Sequence, residues 1–141
     1  MAAALAGADC FVTREIDVAP DAAYIAYDYK NVASMADAFP PLDDLTGCKR
    51  SERAAEAWRR AARREARGLI VDARSGAVLA RRFHKFFNID ELAETAFDLV
   101  ADAVARALAD GLPVLVSEKL DGSLASPIVL GSTVVWATRG L

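Results

Sequence analysis

The sequence predicts an α+β fold whose second half pairs its strands mainly antiparallel. Three observations carry this. Leu69-Ile70-Val71-Asp72 and the apolar residues of 77–83 flank Ala73-Arg74-Ser75-Gly76, the pattern of a β-hairpin with a glycine-bearing turn. Ile89, Leu92, Ala96, Leu99, Val100, Ala103, Val104 and Leu108 recur at helical spacing. Beyond Pro113 the chain alternates short apolar runs with turn residues, and 128–130 and 133–136 read as two strands around Gly131-Ser132. With 141 residues the chain fits one domain.

Pro20 opens a predicted short helix over residues 21–29, because proline tolerates the first helical turn. Phe39-Pro40-Pro41-Leu42-Asp43-Asp44 is a predicted loop, since paired prolines deny hydrogen bonds to helix and ladder alike. Ser51 is a predicted N-cap with Glu52 in the first turn. Alanine, arginine and glutamate then carry a helix to Arg67, and Gly68 ends it. After the hairpin, the helix from Ile89 runs to about Ala109 and stops at Asp110-Gly111 and Pro113. Val114-Leu115-Val116 is a predicted strand leading into Glu118-Lys119, and Leu120-Asp121-Gly122-Ser123 turns the chain.

Composition bounds the function classes. The 54% hydrophobic content includes 30 alanines, yet it leaves enough large apolar residues for a core. Collagen, a coiled-coil rod, a disulfide scaffold and a membrane span are excluded, and no apolar run reaches 18 residues. The net charge of −3 argues against binding nucleic acid by bulk electrostatics. Charge is nevertheless uneven. Residues 1–45 carry eight acids against two bases, 49–67 carry eight bases against three acids, and 88–110 carry six acids against one base. The basic stretch suits an RNA backbone, but its Glu52–Glu56 spacing and interspersed alanines favour a solvated amphipathic face. Cys10 and Cys48 have no cysteine or histidine companions, so free thiols in a reducing compartment are expected and no metal site. The N-terminus lacks a basic leader and a hydrophobic stretch, which predicts a soluble intracellular protein, cytoplasmic or nuclear.

One motif carries chemistry. Glu118-Lys119-Leu120-Asp121-Gly122-Ser123 contains Lys-x-Asp-Gly. A lysine fixed at a strand end can attack the α-phosphorus of ATP, expel pyrophosphate and hold AMP as a phosphoramidate. An ordinary lysine is neutral at physiological pH only at a level on the order of 10⁻³, so such a site must depress its pKa by burial or nearby cations. Asp121-Gly122 would turn the chain at once and let the backbone pass close to a ligand. Taken alone the pattern is weak, because Asp-Gly also makes an ordinary surface turn beside an exposed lysine.

Context makes it specific. Arg67-Gly68-Leu69-Ile70-Val71-Asp72, then Lys85-Phe86-Phe87-Asn88, then Lys119-Leu120-Asp121-Gly122-Ser123, then Arg139-Gly140 follow one another in an order that resembles the adenylation domain of ATP-dependent RNA ligases. The resemblance is to the T-even phage RNA ligase 1 family. It is best over residues 60–141 and general in character before that. It implies that Lys119 is the nucleophile that takes AMP, that Glu118 lines the adenine end, and that Gly122 lets the chain pass the nucleotide. It further implies that Arg67 and Lys85 contact the ATP phosphates, that Phe87 packs beside them, and that Arg139 contacts the nucleotide or an RNA end. Read without the resemblance, Arg67 is one more arginine of the basic helix, Lys85 and Phe87 are strand-end residues, and Glu118 holds a cross-strand arginine. Phe83 and Phe86 are expected in the core and His84 partly exposed.

The resemblance also implies ATP and Mg²⁺ as cofactors, and RNA ends, a 5′-phosphate and a 3′-hydroxyl, as partners. No metal-ligating residue is assigned. The expected fold is the N-terminal half of a covalent nucleotidyltransferase domain over residues 1–141, incomplete at its C-terminus, because the family's later motifs have no counterpart before Leu141. Little or no ligation is expected of the chain alone. Two other readings stay open: a non-catalytic nucleotide- or RNA-binding remnant of that fold, and a plain α+β interaction domain with a chance turn.

Overall fold

The computed structural model describes the chain apart from residues 20, 21, 31, 131 and 139–141. The chain divides into two units, one of Met1–Phe86 with Ser123–Leu141 and one of Phe87–Gly122. The larger unit holds α1 (Ala2–Leu5), β1 (Phe11–Ala19), β2 (Ala22–Tyr29), α2 (Met35–Ala38), α3 (Arg53–Glu65), β3 (Leu69–Asp72), β4 (Val78–Ala80), β5 (Ser126–Leu130) and β6 (Thr133–Ala137). Its sheet runs β1-β2-β3-β4 with every neighbour antiparallel, while β5 and β6 form a separate hairpin. The central register pairs Tyr24 with Asp72 and Tyr27 with Leu69.

Side-chain alternation explains why β2 and β3 sit in the middle. Tyr27, Leu69 and Val71 share one face and pack with Leu5 and Ala66, flanked by Met1, Phe11 and Ile25. Ala26 and Ile70 share the other face and pack with Ile128 and Ala137 of the β5–β6 hairpin, flanked by Ile16, Tyr24 and Ala80. A strand covered on both faces reads as a continuous apolar run, which is what Leu69-Ile70-Val71 is. Each such side chain contributes roughly 1.5–3 kcal/mol on burial. A third contact set seats the fully buried Phe39 edge-on against Phe11 and Tyr29, with ring centroids 5.6 and 5.2 Å away.

The β3–β4 turn is held by Asp72, whose Oδ1 accepts from the Arg74 and Ser75 amides at 3.0 and 2.6 Å and from Ser75 Oγ at 2.8 Å. That network is an Asx turn. The hairpin and the β5–β6 pair match the sequence expectation, with β4 shorter than residues 77–83. The α+β class with antiparallel pairing holds as well.

Several expectations are corrected. Residues 21–29 are not a helix: the described part is strand β2. Tyr24, Ala26 and Asp28 alternate with Ile25, Tyr27 and Tyr29, and pairing to strands on both sides outweighs the proline start signal. Ser51 is not the N-cap. A tight turn, in which the Glu52 amide donates to the Lys49 carbonyl at 2.9 Å, delays the helix, and Glu52 caps α3 without a side-chain bond. The helix ends at Glu65 rather than Arg67, because Ala66 leaves helical geometry and the Gly68 amide bonds the Tyr27 carbonyl at 2.9 Å. β1 went unforeseen.

The basic helix is more than a solvated face. Arg60 donates to the carbonyls of Pro41, at 2.7 Å, and Asp44, while Arg63 donates to that of Ala4 at 3.3 Å. The buried Arg64 reaches the Pro40 carbonyl at 3.3 Å. These arginines therefore clamp the 40–44 loop and α1. Arg59 and Arg60 also pair with Glu56 at 3.1 and 2.9 Å.

The smaller unit contains a short 3₁₀ turn (Ala93–Thr95) and α4 (Phe97–Ala109). The expected single helix from Ile89 is broken there. Thr95 bonds back to Leu92 through amide and hydroxyl, Ala96 is extended, and Asp90 Oδ1 accepts from the Phe97 amide at 2.8 Å to start α4 afresh. Val114-Leu115-Val116 forms no strand; these residues are exposed with no ladder partner among the described residues. Among the described residues no helix is long and apolar enough to cross a membrane. Cys10 and Cys48 are free thiols.

Candidate functional site

The seven residues singled out from the sequence fall into three groups. Arg67 and Lys85 lie in the larger unit, Phe87, Glu118, Lys119 and Gly122 in the smaller one, and Arg139 outside the described residues.

Arg67 follows the end of α3 and immediately precedes Gly68 at the start of β3. Its Nη1 donates to the Phe83 carbonyl at 3.3 Å, and its guanidinium stands 4.9 Å above the Phe86 ring. Lys85 is buried. Its amide donates to the Arg64 carbonyl at 2.7 Å, and its Nζ donates to the Phe86 carbonyl at 2.7 Å with the Tyr29 ring 6.0 Å away. The fold thus lays residues 83–86 against the end of α3 and brings these two cations to one end of the sheet. The rings of Phe83 and Phe86 are 68% and 59% exposed, so the expectation that both are core is overturned. The segment is fixed by its backbone and by Arg67 rather than by burying its rings. His84 is exposed and lies close enough to Glu65 to lower that carboxylate.

In the smaller unit Glu118, Lys119 and Gly122 lie on an exposed segment without regular structure, and Phe87 is half-buried. Lys119 therefore does not project from a strand end, because the strand that was to carry it is not formed. Gly122 has φ +134°, a conformation that L side chains rarely adopt, and its amide donates to Asp121 Oδ1 at 2.9 Å. The turn expected at Asp121-Gly122 is consistent with this backbone. Among the described residues no three His, Cys, Asp or Glu side chains cluster as a metal site.

A feature the sequence reading missed lies beside Arg67. Arg14, Ala26, Asp28, Gly68, Ile70, Arg82 and Thr138 line a cavity of about 10 Å³. Nε and Nη1 of Arg82 are buried there with no hydrogen-bond partner among the described residues. Burial pushes the Arg82 guanidinium below its ordinary pKa; Asp28 opposes this and the positive charge of Arg67 adds to it. The only sequence trace is the Arg81-Arg82 doublet, and nothing in the doublet says that one arginine turns inward. Arg81 stays on the surface, paired through two 2.6 Å contacts with Glu65.

A family model described as RNA ligase matches residues 65–140. RNA ligase 1 of bacteriophage TS2126 is 40% identical over 79 residues, covering 54% of this chain and 18% of that protein. A protein of Thermovibrio ammonificans whose name places it among RNA ligases is 35% identical over 72 residues, covering 51% of this chain and 17% of its own length. The chain thus matches less than a fifth of the length of these curated relatives. No solved structure matches it. The matched stretch contains Arg67-Gly68, the Lys85-Phe86-Phe87-Asn88 element and Lys119-Leu120-Asp121-Gly122-Ser123 in order, and it spans more than half of the chain: the chain belongs to the RNA ligase family.

Proposed function

We propose that this chain is the N-terminal region of the adenylation domain of an ATP-dependent RNA ligase acting in RNA repair inside the cell, with Lys119 as its nucleophile. The observation that carries the reading is the ordered set of elements within residues 65–140, in a stretch matched to the family. Lys119 Nζ attacks the α-phosphorus of ATP, the bond to the bridging oxygen breaks, and pyrophosphate leaves; the amine proton passes to solvent or a base. In the intact enzyme AMP then passes to an RNA 5′-phosphate, and a 3′-hydroxyl displaces it to seal the strand.

The residues present fit a nucleotide better than a bare metal ion. Arg67 and Lys85 are cations gathered at one sheet end, suited to phosphate charge in the ground state and on departing pyrophosphate. Phe87 and Glu118 would pack and line the nucleotide, Gly122 would admit its close approach, and Arg139 would contact the nucleotide or an RNA end. Magnesium would be held chiefly by phosphate oxygens, where it offsets their charge. Lys119 is exposed in its own unit, so the reading requires the bound nucleotide and the groups around it to supply the environment that deprotonates the amine.

The test is intact-mass spectrometry of the chain after incubation with ATP and magnesium, with Lys119→Ala alongside. An acid-labile AMP adduct that vanishes in the variant is expected. If the chain remains unmodified under conditions where it binds ATP, Lys119 is not a nucleophile here and a nucleotide-binding remnant takes its place.

A further inference from the structure

The Arg67-Gly68 and Arg82-Phe83 dipeptides clasp each other. Arg67 Nη1 donates to the Phe83 carbonyl, while the Arg82 guanidinium lies against Gly68 on the side where a side chain would stand. A Cβ built at Gly68 would come within 2.9 Å of Arg82 Nη1 and 3.0 Å of Cζ. Gly68 is tied on its other side to β2 by its amide bond to the Tyr27 carbonyl. Arg82 thus packs against the turn from which Arg67 projects. Its Nε and Nη1 hydrogens are buried beside a cavity that Asp28, Arg14 and Thr138 also line. That cavity is at the size threshold for one water, and buried waters characteristically bond groups that lack protein partners.

We propose that Arg82 is a positioning residue that sets Arg67 for phosphate contact, its buried N–H groups joined to Asp28 through one ordered water. The first half rests on the reading of Arg67 as a phosphate contact; the water does not. Nε and Nη1 of Arg82, being enclosed, are not the groups that would reach a nucleotide. A lysine in its place would keep the charge but lose the flat guanidinium that covers Gly68.

The test measures ATP affinity by calorimetry in the Lys119→Ala background, which cannot form an adduct. Arg67→Ala is expected to weaken binding roughly tenfold, as loss of a charge-assisted phosphate contact does. Arg82→Lys should weaken it comparably, and the double variant should be no weaker than Arg67→Ala, because one residue acts through the other. Unchanged affinity in Arg82→Lys, or additive losses, would overturn the positioning role. Should Arg67→Ala itself leave affinity unchanged, the phosphate reading of Arg67 fails and the positioning role falls with it. The water is then decided separately by NMR. The Arg82 Nε–H resonance should show a cross-peak to water, slow solvent exchange and a shift in Asp28→Asn; a rapidly exchanging Nε–H that ignores Asp28→Asn rejects it.

Discussion

Two features favour glycine at position 68: φ +73°, which L side chains rarely adopt, and the Arg82 guanidinium standing where a Cβ would be. Gly68→Ala should therefore lower stability by about 1–3 kcal/mol, measured by urea unfolding. In an Arg82→Ala background the same change should cost about 1 kcal/mol, since the contact is gone and the dihedral cost remains. Glu65 makes a different kind of prediction. Its hydrogen bonds with Arg81 hold its carboxyl below the ordinary value of 4.5. A carboxyl depressed in the folded state contributes stability that is present above its unfolded pKa and is lost as pH falls through the folded one. Thermal melts from pH 6 to 3 should thus show an acid limb that is shallower in Glu65→Gln. The difference should be roughly 0.5 kcal/mol at neutral pH, because the pair is solvent-screened. Asp72, lowered by its bonds to Ser75, titrates in the same sense.

Among the elements, β3 and α4 mark opposite extremes. Ile70 is fully buried between β2 and the β5–β6 hairpin, and Ile70→Ala should cost about 2–5 kcal/mol in chemical denaturation. α4 has an amphipathic sequence, yet none of its residues is buried, and Leu108 is 60% exposed. Leu108→Gln should accordingly change stability by less than about 0.5 kcal/mol. The helix depends instead on its start. Asp90→Ala removes the carboxylate that receives the Phe97 amide and should cost about 1 kcal/mol of local stability, read as reduced helicity of α4 by NMR chemical shifts.

Across the whole molecule, stability is concentrated in the larger unit. Both faces of β2 and β3 are covered, whereas residues 113–122, which include Lys119, are exposed and outside regular structure. Hydrogen exchange followed by mass spectrometry should find the amides of Leu69–Asp72 among the slowest and those of 113–122 among the fastest. The candidate nucleophile thus sits where folding stability is least invested. Lys119→Ala should leave the unfolding midpoint unchanged within error while abolishing any AMP adduct, which separates its chemistry from structure.

Local patterns settled much of this protein. The β3–β4 and β5–β6 hairpins were legible because apolar runs and turn residues act over a few neighbouring positions. The Arg67-Gly68, Lys85-Phe86-Phe87-Asn88 and Lys119-Leu120-Asp121-Gly122-Ser123 elements were legible because each is a short run of neighbouring residues whose order alone carries the family resemblance. Tertiary structure decided the rest. Tyr24–Tyr29 carries signals for helix and strand together, and only pairing to β1 and β3 resolves them. Val114-Leu115-Val116 has strand composition but no neighbour to complete a ladder among the described residues, so composition alone misleads. Arg60, Arg63, Arg64 and Arg82 look like surface cations in a one-dimensional string. They turn inward because carbonyls and a bare glycine far along the chain lie within reach, and such partners exist only once the chain has folded.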